Sequence, residues 1–117
     1  LITEEPSSFT LGAEQLRQIL RERPETDGIF ISFYDLAIGA LFECQRLGIK
    51  VPKQIAIAGF HGHDVGQSLT PQLASVITPR LEIGKTAAQE LLNRLNNIPQ
   101  QSSIINLGYH IHLGESI

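Results

Sequence analysis

The residues with chemistry to offer stand in two short polar runs, each just after an apolar stretch. Ser32, Phe33, Tyr34 and Asp35 follow Ile31, and His61, Gly62, His63, Asp64 and Gln67 follow Gly59 and Phe60. Imidazole donates from either nitrogen and charges near neutral pH, so His61, directly past an apolar strand, suits a ligand carboxylate better than an aspartate would. The plainer reading of His61–Asp64 is a polar loop whose Asp64 bonds nearby amides and whose glycines permit a tight path. His61 with His63, and His110 with His112, form two i, i+2 pairs that share a face where the chain is extended. No recognised ligand spacing joins the two pairs and no thiolate assists them, so no metal is expected.

Templates for enzymes fit poorly. Gly59, Gly62 and Gly66 lack the spacing of a dinucleotide fingerprint, and neither a phosphate loop ending in Gly-Lys-Ser/Thr nor a Gly-x-Ser-x-Gly elbow occurs. Ser32, His61 and Asp64 could be assembled into a hydrolase, but almost any domain of this size allows such a list. No enzyme and no cofactor is expected. The single cysteine, Cys44, lies in a helical pattern and reads as a buried thiol.

The elements that must position these residues alternate along the chain. Leu1–Thr3 reads as a strand end, followed by a loop over residues 4–8. Helix signals begin at Phe9 or Thr10, with Thr10 as a candidate cap and Pro24 as the stop. Gly28–Ser32 reads as a buried strand. Asp35 is the expected cap of a second helix carrying Leu36, Ala37, Ala40, Leu41, Cys44 and Leu47, which Gly48 ends. Ile55–Phe60 is a second buried strand, residues 61–73 form a Gly-rich loop, and Ala74–Thr78 is extended. Pro79 suits a first helical position, and the helix runs to about Asn97. Residues 104–113 form the last extended segment. Helices alternating with short apolar strands specify an α/β fold with a parallel sheet, whose ligands sit at the carboxyl ends of strands.

Composition sets milder bounds. At 117 residues the chain can bury one core, but is too short for two substantial domains. Nine Lys plus Arg against twelve Asp plus Glu leave a formal charge of −3 and no basic cluster, so nothing here grips phosphates. No apolar run is long enough to span a bilayer. There is no leader-like segment at Leu1, although Leu1 is not an initiator Met and a leader could lie upstream.

Several motifs occur together in a fixed order. A short polar turn leads into Asp35, Leu36, Ala37, Gly39 and Ala40; Leu47, Gly48, Ile49, Val51 and Pro52 make a helix end and turn. The strand IAIAGF, then Thr70, Pro71, Leu73, Ser75 and Val76, then Pro79 and Gly84 complete the series. This collinear pattern, over nearly the whole chain, resembles the effector-binding core of lactose-repressor-type bacterial transcription regulators. Phe42–Gly48 and Gly59–Asp64 look most like the repressors of gluconate utilisation.

The resemblance implies a periplasmic-binding-protein-like (type I) sensor core of which residues 1–117 are the C-terminal part. The helix-turn-helix, most of the N-terminal lobe, and the opening strand and helix of this lobe would then lie elsewhere. It implies a cytoplasmic repressor with a small-molecule effector, a homodimer formed through the C-terminal lobe, and operator DNA reached only through the missing N-terminal domain. The rival is a solute-binding component of a transporter with the same core. Family site residues carry over with departures. The Asn or Asp after the first strand falls on Phe33, which can serve only as a wall. The Asp after the Gly-Phe/Tyr pair falls on His61, a change that points to a sugar acid, with gluconate the first choice. The stacking aromatic falls on Ser7, near Phe9, and the Gln of the crossover strand falls on Thr78. Ligand binding is thus expected at His61, Asp64, Thr78, Phe33 and Ser7. The dimer face is expected on Leu36–Leu47 and Val65–Leu73, and the helix from Arg80 to Asn97 is expected to expose an apolar face that family members pack on the other lobe.

Overall fold

The computed structural model describes residues 4–99 and 104–117. The strand end expected at Leu1–Thr3 lies outside the described residues. Two compact units emerge, one formed by Leu1–Ile77 with Ile111–Ile117 and the other by Thr78–His110.

The first unit opens with α1 (Phe9–Glu22), whose cap is Ser8 rather than Thr10. Ser8 is extended and its side chain accepts the Leu11 N–H at 3.1 Å, whereas Thr10 is already inside the helix. Next come β1 (Gly28–Ile31) and α2 (Tyr34–Leu47). Phe33 occupies the cap position of α2 without a side-chain bond, and the expected cap Asp35 sits in the first turn, where its charge still favours the helix N-terminus. Gly48, with φ 72°, ends α2 in the left-handed conformation that glycine adopts without steric cost.

β2 (Ala56–Phe60) leads to a short α3 (Asp64–Gln67), a turn of helix within what reads in sequence as an unbroken loop. β3 (Ala74–Ile77) follows, and β4 (His110–His112) is the only part of residues 104–113 with strand character. The sheet order is β1-β2-β3-β4, with β1 parallel to β2 and β2 parallel to β3. The parallel α/β reading therefore stands.

The core lies where α1 and α2 cross and where α2 covers β1 and β2: Leu16, Ile38, Leu41, Cys44, Ile55, Ile57 and Leu73 are fully buried. The helices touch backbone to backbone. A Cβ on Gly12 would overlap the Leu36 carbonyl, and one on Gly39 would overlap the Phe9 carbonyl. That close approach is the physical reason for glycine in the Asp35–Ala40 motif. Cys44 is buried, and burial, assisted by the nearby Glu43 charge, pushes its thiol up to about 11.

β1 departs from the buried strand expected. Ile29 and Ile31 pack on the core, but Phe30 on the opposite face is 63% exposed, because α2 covers one face only. The tail returns to the sheet through Ser116, which is wholly buried. Its Oγ donates to the Ile57 carbonyl at 2.6 Å and accepts from the Ala74 N–H at 2.8 Å.

The second unit contains α4 (Arg80–Leu95), with Pro79 at its cap position rather than at the first helical position. No α4 residue is buried, and Leu81, Leu91, Leu92 and Leu95 are all exposed. Within this unit a groove of about 410 Å³ runs between Ile83, Ala87 and Glu90 of α4 and Ile105–Gly108.

Candidate functional site

Parallel pairing sets the carboxyl ends of β1, β2 and β3 side by side. Ile31 is in register with Gly59, and Gly59 with Ser75. The two polar loops leave from that common rim, so the structure brings Phe33, His61 and Asp64 to one end of the sheet. Phe33 is 60% exposed, and His61 and Asp64 are exposed as well. Ser7 belongs to neither loop; it is exposed in the lead-in to α1. Thr78, half-buried, opens the second unit.

His61 is the most constrained of these residues. Its φ of 71° is left-handed, a conformation uncommon for any residue with a Cβ. Its ring stands edge-on to Phe60, with centroids 4.2 Å apart. The left-handed turn also means that His61 and His63 do not continue an extended strand, which removes the basis for reading them as an i, i+2 ligand pair. Among the described residues no group of three or more His, Cys, Asp or Glu gathers to hold a metal.

The support beneath the loops comes from two residues absent from the expected site. Tyr34, 5% exposed, donates its hydroxyl to the His63 carbonyl at 3.1 Å and lies under the His63 ring, with centroids 5.5 Å apart. Gly59 fits against it: a Cβ there would meet Tyr34 Cδ2 at 3.2 Å. Ser75 accepts the buried Gly62 N–H at 3.1 Å. Neither role has a local signature, since the partners lie 29 and 13 residues away in sequence. Asp64 begins α3, and its carbonyl accepts from the Ser68 N–H and hydroxyl at 3.0 and 2.9 Å.

A cleft of about 130 Å³ opens among α1, β1 and the start of α2; Ser32 lines it, but Phe33, His61 and Asp64 do not. It is smaller than the pockets that usually enclose a small-molecule ligand. The rim bearing His61 lies outside that cleft, and Phe33, His61 and Asp64 are exposed along it.

On the flank of the first unit, Phe42 packs edge-on against Phe9 with centroids 6.3 Å apart, and remains 41% exposed. Leu47 and Val65 are exposed too, while Leu69 packs on the core. Gln45 donates to the Thr70 carbonyl at 2.7 Å, which ties α2 to the segment before β3. No helix among the described residues is long and apolar enough to cross a membrane.

Comparison with known proteins gives a consistent result. The periplasmic binding protein-like domain family matches residues 2–117. The HTH-type transcriptional regulator GntR of Escherichia coli (strain K12) is 49% identical over 117 residues, all of this chain and 35% of that protein. The HTH-type transcriptional regulator IdnR of the same strain is 44% identical over 111 residues, 95% of this chain and 33% of its own length. The crystal structure of the transcription regulator GntR from Chromobacterium violaceum superposes with a TM-score of 0.95 at 41% identity, covering 99% of this chain and 43% of the other. The chain thus spans about a third of the length of the curated relatives it matches.

Proposed function

The chain belongs to the periplasmic binding protein-like domain family, in the form found in lactose-repressor-type regulators, and from that membership we propose that it is the effector-sensing and dimerising part of a cytoplasmic transcriptional repressor responsive to a sugar acid. The observation that carries the reading is the placement of His61: exposed, at the carboxyl end of the interior strand β2, beside the loop that follows β1. A donor that carries positive charge when protonated suits an anionic ligand there, and gluconate fits that chemistry. His61 and Asp64 are the polar contacts in this reading, Phe33 is a wall, and Ser7 takes the place of the family's stacking aromatic.

In this scheme residues 1–117 are one part of a longer chain whose N-terminal segments carry the helix-turn-helix and most of the facing lobe. The exposed leucines of α4 pack on that lobe, and closure over the ligand biases the spacing of two DNA-binding heads. The exposed Phe42, Leu47 and Val65 provide apolar contact for a second copy. The matched relatives are regulators, which favours this reading over a transporter's solute-binding component and over an enzyme.

The test is calorimetric titration of D-gluconate and D-glucose into the full-length chain. Saturable heat with gluconate alone is expected, and His61→Asp should erase the preference. A folded protein silent to gluconate, or a His61→Asp variant with its preference intact, would overturn the reading.

A further inference from the structure

The turn after β2 is held from below at Gly62 as well as by Tyr34 at the His63 carbonyl. Gly62 is buried although His61 and His63 on either side are exposed. Its N–H donates to Ser75 Oγ at 3.1 Å. Ser75, 4% exposed, directs its own proton to the Val76 carbonyl at 3.2 Å, which leaves its lone pairs to Gly62. A Cβ on Gly62 would stand 2.7 Å from Ile77 Cγ1, so the turn is seated directly on β3. His61, one residue earlier, has its φ at 71°. A residue with a Cβ keeps such a backbone only where its surroundings impose it.

We propose that Ser75 is a positioning residue: by fixing the Gly62 N–H it holds His61 in the left-handed conformation that presents its imidazole at the rim, and thereby sets preference for an acid over a neutral sugar. The specificity part rests on the sugar-acid reading above; the anchoring part does not. Ser75 lies beneath the turn and acts through the backbone rather than by touching the ligand.

The experiment uses the full-length chain with Ser75→Ala and Ser75→Thr, and two readouts: hydrogen exchange of the Gly62 amide without ligand, and calorimetric affinity for D-gluconate and D-glucose. Ser75→Ala should lose Gly62 protection and weaken gluconate binding about tenfold, the scale of one lost hydrogen bond. Ser75→Thr, which keeps the hydroxyl, should restore both. Ser75→Cys, close in volume but a weak acceptor, replaces the alanine variant if that one does not fold. Unchanged Gly62 protection overturns the anchor. Lost protection with unchanged gluconate affinity overturns the link to specificity while leaving the sugar-acid reading intact. If the unsubstituted chain ignores gluconate, that reading and the specificity link fall together, and Gly62 exchange alone decides whether Ser75 anchors the turn.

Discussion

Tyr34 and His63 join the two loops at the sheet rim: the phenol hydroxyl donates to the His63 carbonyl at 3.1 Å, and the rings face each other at 45°. Tyr34 opens α2 and His63 precedes α3, so one buried aromatic sets how the loop after β1 sits against the loop after β2. The same hydroxyl occupies the space that a side chain on Gly66 would need.

Tyr34→Phe should cost about 1 kcal/mol in urea denaturation, the usual net value of one such bond. Gly66→Ala should cost about 1–3 kcal/mol, because the new methyl must displace a packed ring. The two changes share one space, so the double variant should be more stable than the sum of the single losses implies. Additive losses would show that Tyr34 and Gly66 do not constrain each other.

Much of this arrangement is legible in sequence. The apolar runs and glycine stops around Gly28–Ile31, Tyr34–Leu47 and Ala56–Phe60 mark the elements, and the order of elements marks the rim. Local rules misplace the caps by one or two residues, because Ser8 and Thr10, two positions apart, are both capping residue types. They also miss the open face of β1, since an apolar run such as GIFI does not report how many faces are covered. Tyr34, Ser75 and Ser116 are unreadable for a different reason. Each is common in its local setting, and its function comes from a partner at least 13 residues distant.

His61 carries strained backbone at an exposed position. Replacing it with glycine should leave the fold equally stable or more stable by up to about 1 kcal/mol, since glycine enters the left-handed region freely. On the sugar-acid reading the same variant should lose gluconate binding in the full-length chain. His61→Ala should lose it equally while keeping the backbone strain. Denaturation and calorimetry on the pair separate the two effects; a glycine variant less stable than the alanine one would remove strain from the account.

Glu43 is 4% exposed and takes two bonds from Arg46, at 2.8 and 2.5 Å, and one from Arg17 of α1 at 2.9 Å. Hydrogen bonding by Arg46 and then Arg17 lowers its carboxyl from the ordinary 4.5 to about 2. A depressed folded-state value means that the stabilisation is complete above pH 4.5 and is lost as pH falls through about 2. Urea denaturation between pH 6 and pH 2, on the order of four settings across that range, should show stability falling with acid in the parent and a shallower slope in Glu43→Gln. Equal slopes would mean that Glu43 is not held ionised by the arginines.

Ser116 offers the sharpest test of how the tail secures the sheet. Its Oγ takes the Ala74 N–H and donates to the Ile57 carbonyl, while its own carbonyl accepts the Ile57 N–H at 2.8 Å. β2 and β3 are thus bridged by a residue with no exposed surface. In Ser116→Ala the backbone bond remains, but the buried Ala74 N–H and the Ile57 carbonyl both lose the hydroxyl as a partner. The expected cost is about 1–3 kcal/mol, more than the net worth of one exposed hydrogen bond, because a buried donor is left unsatisfied. Exchange of the Ala74 amide should accelerate in the variant while amides of α1 keep their protection. Uniform acceleration across the unit would instead place Ser116 in the global folding equilibrium, with no separate role at the β2–β3 seam.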